Sequence, residues 1–183
     1  MRVGLYGGTF DPIHNGHIHV IQELISRKIV DHLLVLPAGQ PRLRDSQPLA
    51  TGAQRRAMCQ LAVNELPAEI KKHIEVNPIE ILREGPSYTI DTVEAVAQTY
   101  EGDTIVLIVG SDAYEKIDQW HRADELKKLV EIVVIDRPEF PGEHNTSVDA
   151  IAVSASDIRS HNSSAVPAAV AAFIKENNLY ASK

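Results

Sequence analysis

Short apolar runs alternate with segments of helical apolar spacing along nearly the whole chain, and this alternation restricts the fold more than any other feature. Val3 to Tyr6 is an apolar run closed by Gly7-Gly8, and Asn15 to Lys28 then carries Ile18, Ile21, Leu24 and Ile25 at helical spacing. His32 to Leu36 reads as the next strand, closed by Pro37-Ala38-Gly39, and Ala53 to Leu66 as the next helix. Further along, the pattern predicts a strand over Ile74 to Ile81, a helix over Thr89 to Tyr100 and a strand over Thr104 to Val109 ending at Gly110. A helix over Ala123 to Leu129 leads into a strand over Val130 to Ile135, and the chain closes with a strand at Ala150 to Val153 and a helix over Pro167 to Asn177, proline first. Strands and helices in this order imply an α/β fold, a doubly wound parallel sheet with helices on both faces. Such sheets bind ligands at the carboxyl ends of their strands, where each strand turns toward a helix.

The 183 residues are enough for one compact domain and short for two, so a single domain over residues 1–183 is expected. Eighteen basic against 25 acidic residues give a formal charge of -7, which argues against a surface that coats nucleic acid or anionic lipid. Any positive charge for an anionic substrate must then be local. No apolar run reaches membrane-spanning length, and Arg2 leads straight into a strand-like run, so a cytoplasmic protein is expected. The lone Cys59 has no cysteine to pair with and reads as a small buried hydrophobe. Arg137 to Asn145, with two prolines and a glycine, reads as a surface loop, and Lys71-Lys72-His73 as a solvated turn.

Between the first strand and the first helix lies Gly7-Gly8-Thr9-Phe10-Asp11-Pro12-Ile13-His14-Asn15-Gly16-His17. Glycines let a backbone come close to a ligand, and a helix start offers N–H groups and a positive dipole end, so the pair suits a phosphate. His14 and His17 are three apart at that start, both able to face one point and donate to phosphate oxygens. A zinc site is the first alternative, but it needs a third ligand that the sequence does not identify. A purely structural cap is the second, and it explains the glycines without explaining both histidines.

This run resembles the signature of the nucleotidylyltransferase superfamily, in which Gly-Gly-Thr-Phe-Asp-Pro leads into His-x-Gly-His, and each of those positions is filled here. The resemblance implies a Rossmann-like fold and transfer of a nucleotidyl group: an acceptor phosphate attacks the α-phosphate of ATP or CTP and pyrophosphate leaves, with Mg²⁺ on the triphosphate. No covalent enzyme intermediate is needed, because an ionised phosphate is already a nucleophile. A second stretch, Val153-Ser154-Ala155-Ser156-Asp157-Ile158-Arg159, has Ser154 or Ser156 as a cap and Arg159 one turn on. It resembles the superfamily's second signature, Ile-Ser-Ser-Thr-x-Ile-Arg, with Ala155 and Ser156 as substitutions. The resemblance implies that Gly7, Gly8, Thr9, Phe10, His14, His17, Ser156 and Arg159 bind ATP, with His14, His17 and Arg159 catalytic and no protein ligand to a metal. Ser160 to Val166 is shorter than the family's segment before the closing helix.

Gly85-Pro86-Ser87-Tyr88-Thr89-Ile90-Asp91-Thr92 and Gly110-Ser111-Asp112 with Asp118-Gln119-Trp120-His121 are, each alone, a capped helix and a half-buried tryptophan. Together they resemble the nicotinate mononucleotide adenylyltransferase branch, and the likeness extends through Pro37-Ala38-Gly39-Gln40-Pro41 to Leu179-Tyr180. The resemblance implies adenosine at Gly110 and Asp112, a pyridine ring stacked on Trp120, and a nicotinate carboxylate on the N–H groups of Tyr88 and Thr89. Thr9 and Arg44 complete the implied mononucleotide site. The family's Pro-His-Lys after Gln40-Pro41 is here Arg42-Leu43-Arg44, so the expected histidine is missing and Arg44 keeps only the charge. Rival readings are phosphopantetheine adenylyl transfer, which would not bring Pro86 to Thr92 or Trp120-His121, and a non-catalytic nucleotide-binding regulator. A cytidylyltransferase lacks its Arg-Thr-Glu-Gly element here. The expected substrates are ATP and nicotinate mononucleotide, with no nucleic acid or membrane partner, and a homo-oligomer is left open.

Overall fold

The computed structural model describes residues 1–39, 47–136, 145–146, 148 and 151–181. The chain runs β1 (Arg2–Gly8), α1 (Asn15–Ser26), β2 (His32–Pro37), α2 (Gly52–Asn64), α3 (Ala68–Lys71), β3 (Ile74–Val76) and α4 (Ile79–Leu82). It continues through α5 (Thr89–Thr99), β4 (Thr104–Gly110), α6 (Ser111–Tyr114), a 3₁₀ turn at Ile117–Gln119 and α7 (Ala123–Leu129). The last elements are β5 (Glu131–Ile135), β6 (Asn145–Thr146), α8 (Ala155–Arg159) and α9 (Ala168–Glu176).

The strands form one sheet in the order β3-β2-β1-β4-β5-β6, and every neighbouring pair is parallel. Period-2 alternation divides their side chains between two faces. Leu33, Val35, Val76, Val106 and Ile108 join Ile21, Leu24, Met58, Ala62 and Val170 in a core under α1, α2 and α9. On the other face Val3, Leu5, Leu34, Ile105, Leu107 and Val109 pack with Ile90, Val93, Val96 and Leu126 under α5 and α7. The sheet is therefore doubly wound, as the alternation predicts. Strand order reverses between β1 and β4: the chain leaves β1 toward β2 and β3, then crosses back to the far side of β1. A crevice opens at the carboxyl ends where two crossovers diverge, and the Gly7-to-His17 run and Gly110 stand at those two ends.

Two expected strands need correction. The strand expected over Ile74 to Ile81 stops at Val76, because Asn77 accepts the Ile79 N–H on its Oδ1 at 3.0 Å and Pro78 caps the short helix α4. An Asx turn followed by proline breaks a ladder whatever the apolar pattern. The strand expected at Ala150 to Val153 is absent from Ile151 to Val153, and Ala150 lies outside the described residues. The last strand is Asn145–Thr146, paired with Val134 and Ile135 of β5. The expected loop over Arg137 to Asn145 lies outside the described residues, apart from Asn145. No described helix is long and apolar enough to cross a membrane.

Candidate active site

The first turn is built by packing beneath it. Phe10 adopts a left-handed φ of 48°, unusual for a residue with a side chain, and its ring is buried in the α1 core. A Cβ at position 8 would lie 2.9 Å from that ring, so glycine there is what lets Phe10 tuck under the turn. Only the Phe10 backbone is left for a ligand. Gly7, at the mouth, meets nothing within 4 Å of an added Cβ.

His14 caps α1 and His17 lies in its first turn. The His14 N–H donates to His17 Nδ1 at 3.2 Å, and the rings stack with centroids 3.6 Å apart. Since Nδ1 accepts, the proton of the neutral His17 ring sits on Nε2. His14 is only 7% exposed, whereas His17 is half-buried, with its edges against Tyr6 and Phe10. A Cβ at position 16 would come within 3.1 Å of the His14 ring, which is why glycine separates the histidines. The helix start is less open than expected: the Asn15 N–H is taken by the Ala165 carbonyl at 2.9 Å, from the segment after α8. Among the described residues no three of His, Cys, Asp and Glu cluster as a metal site.

The second stretch meets the first directly. Ser154, not Ser156, caps α8, accepting from the Asp157 N–H at 3.1 Å. Arg159 Nη1 donates to the Asp11 carbonyl at 2.7 Å, and Nη2 donates to Ser156 Oγ at 3.1 Å. A guanidinium 148 residues from Asp11 in sequence thus ties the two stretches together. Gly110 ends β4 and caps α6, which carries Asp112 in its first turn.

Three residues that hold this site carried no expected role. Arg55 is 2% exposed and donates from Nη1 to the Thr9 carbonyl at 2.7 Å and from Nη2 to the Ala38 carbonyl at 2.7 Å, tying the end of β1 to the end of β2. Burial pushes its guanidinium below the usual arginine range, and Asp11 opposes that shift. The Asp11 carboxylate accepts from the Leu49 and Ala50 N–H groups at 2.8 and 3.1 Å and from the Tyr180 hydroxyl at 2.7 Å. Burial first, then the bond to Asp11, raises the Tyr180 phenol above its usual range, so it stays a donor. An arginine on the same helical face as Cys59 and Ala62 was the available sequence signal.

On the acceptor side, Tyr88 caps α5 and Thr89 is its first residue, and neither N–H finds an acceptor among the described residues. Tyr88 stacks on His121 with centroids 4.3 Å apart, which joins the α5 start to the segment after the 3₁₀ turn. Trp120 is half-buried against the α5 core, its Nε1 buried without a partner among the described residues. Arg44, with Gln40 to Leu43, lies outside the described residues.

A family model described as cytidylyltransferase-like matches residues 5–161. The nicotinate-nucleotide adenylyltransferase of Bacillus subtilis (strain 168) is 31% identical over 192 residues, covering 99% of this chain and 99% of that protein. Among solved structures, Plasmodium falciparum nicotinic acid mononucleotide adenylyltransferase complexed with NaAD aligns with a TM-score of 0.84 at 18% identity, over 98% of this chain and 97% of that one. The same Plasmodium protein complexed with APC aligns with a TM-score of 0.79 at 19% identity, over 98% and 96% of the two chains. At those identities the structural likeness speaks for the fold.

Proposed function

The chain belongs to the cytidylyltransferase-like family and, within it, to the nicotinate-nucleotide adenylyltransferases, and from that premise we propose how its residues join ATP and nicotinate mononucleotide into deamido-NAD and pyrophosphate. A phosphate oxygen of the mononucleotide attacks the α-phosphorus of ATP. The bond from that phosphorus to the oxygen shared with the β-phosphate breaks, and pyrophosphate departs with the electron pair. The observation that carries the reading is the Arg159 guanidinium bonded to the first turn at Asp11, which puts both phosphate motifs together at the reversal of strand order.

His17 donates from Nε2 to α-phosphate oxygens as charge grows there, with His14 stacked behind it. Arg159 and Ser156 hold the β- and γ-phosphates, the backbone of Gly7, Gly8, Thr9 and Phe10 borders the triphosphate, and Gly110 and Asp112 receive adenosine. Nicotinate mononucleotide lies between Thr9, Arg44, Tyr88, Thr89 and Trp120. ATP enters as its Mg²⁺ complex, so the ion counts with the substrate. Imidazole, guanidinium and hydroxyl groups suit phosphate oxygens, while Mg²⁺ takes oxygen ligands and is carried by the phosphates. Residues 1–183 act in this reading as one catalytic domain in the cytoplasm, with no nucleic acid or membrane partner.

Pyrophosphate release with ATP and each of nicotinate mononucleotide, nicotinamide mononucleotide and phosphopantetheine tests the reading. Turnover is expected with the first, and turnover confined to phosphopantetheine, or to none, overturns it. Arg159→Ala is expected to weaken ATP far more than AMP in calorimetry, because AMP lacks the β- and γ-phosphates. Equal loss for both nucleotides would reduce Arg159 to its tether on Asp11.

A further inference from the structure

A part-buried polar cluster lies under the start of α5, centred on the buried Thr92. Thr92 is 1% exposed and sits among the buried Ile90, Val93 and Val96, where a valine would fill the same space. Its hydroxyl instead accepts from Arg83 Nη1 at 3.0 Å and donates to Glu80 Oε1 at 3.0 Å. Arg83 Nη1 also donates to Ser87 Oγ at 3.1 Å. Burial drives the Glu80 carboxyl above the usual range, and the Thr92 hydroxyl, Arg83, Ser87 and the Gly39 backbone pull the other way. Gly39 fits close against this segment, since a Cβ there would lie 2.1 Å from the Glu80 carbonyl oxygen.

Hydrogen bonds among polar groups in such a place add little net stability compared with apolar packing, so what they fix in space is the better guide to their use. The link from α4 to α5 passes through Glu84, Gly85 and Pro86, all exposed, with Gly85 at φ 81°, so no apolar side chain anchors that turn. Arg83 grips Ser87 on one side of Tyr88-Thr89 and Thr92 on the other. Glu80 accepts from the same Thr92 hydroxyl, and its backbone packs against Gly39, the last described residue before the segment that carries Arg44.

We propose that Thr92, Glu80 and Arg83 form a positioning cluster that aims the Tyr88 and Thr89 N–H groups at an anionic substituent of the acceptor ring, and thereby set its selection of carboxylate over amide. The proposal rests on the acceptor reading given above. None of the three need touch substrate; they act through the turn.

The test compares wild type, Thr92→Val, Thr92→Ser and Ser87→Ala by steady-state kinetics with nicotinate and nicotinamide mononucleotides, beside thermal unfolding. Thr92→Val is expected to raise KM for the acid about tenfold, the effect of losing one or two buried hydrogen bonds, and to bring the acid-to-amide ratio of kcat/KM toward one. KM for ATP is expected to stay within about twofold. Thr92→Ser keeps the hydroxyl and is expected to recover most of the ratio. Ser87→Ala, in the half-buried turn, should shift the ratio the same way without opening the core. An unchanged ratio in both Thr92→Val and Ser87→Ala overturns the proposal, as does a Thr92→Ser variant as impaired as Thr92→Val. A wild type indifferent to acid and amide overturns the acceptor reading together with the proposal, whereas a selective wild type with equally selective variants overturns the proposal alone.

Discussion

Replacing His17 by alanine is expected to lower kcat about 10²- to 10³-fold, roughly 3 to 4 kcal/mol of transition-state stabilisation, in a protein that still folds and binds ATP. The size follows from preorganisation. The ring is stacked on His14, edged by Phe10 and Tyr6, and pinned at Nδ1 by the His14 N–H, so its Nε2 donor needs no reordering when charge develops. Alanine also removes the acceptor for a helix-start N–H, which costs about 1 kcal/mol of stability. His17→Glu separates the two roles, because a carboxylate can accept that N–H but cannot donate to a phosphate. It is expected to keep the unfolding temperature near wild type while losing at least as much turnover as the alanine variant. Single-turnover rates with calorimetry of ATP binding decide, and an alanine variant within a few-fold of wild-type kcat overturns the assignment.

The parts of this molecule that were readable in sequence are those that local physics dictates. Apolar periodicity is a property of each segment, so β1, α1, β2, α2, α5, β4, α7 and α9 emerge within a few residues of their bounds. Where a local polar bond outweighs periodicity, as at Asn77-Pro78, the pattern overruns the true strand end. β6 is the reverse case: Asn145 and Thr146 are strand only because β5 offers them a ladder, and no apolar signal marks them. The runs that carry the glycines, the histidines and Arg159 stand out because their residue types sit in short stretches, and the structure brings those stretches together at Asp11. The scaffold that aims them was not. Arg55 on Thr9 and Ala38, Tyr180 on Asp11, and Thr92 between Arg83 and Glu80 join residues far apart in the chain or hidden in helical faces, and their meaning exists only once the sheet has brought them together.

Nicotinate mononucleotide is expected to be used tenfold to a thousandfold more efficiently than its amide, as order of magnitude in kcat/KM. The motivating geometry is the start of α5, where the Tyr88 and Thr89 N–H groups have no acceptor among the described residues. A carboxylate there gains charge-assisted hydrogen bonds and the helix dipole, a dipole share of about 0.3 to 1 kcal/mol. Asp91 already occupies that first turn and takes part of the benefit, which holds the dipole share toward its low end. The larger contribution is the penalty on the amide. Its carbonyl can satisfy one donor, but its own NH₂ then faces the other, and two donors left facing each other in a shielded site cost about 1 to 3 kcal/mol. Trp120→Ala is expected to weaken both mononucleotides about equally, since stacking over an indole responds to the pyridinium charge that acid and amide share. Trp120→Ala and Ser87→Ala therefore separate ring recognition from carboxylate recognition: loss at Trp120 moves both KM values together, and loss in the α5 turn moves their ratio. Steady-state kinetics on the two mononucleotides measures each directly. Equal efficiency in the wild type, or a preference for the amide, overturns the carboxylate assignment at Tyr88 and Thr89 and leaves adenylyl transfer through His17 and Arg159 standing.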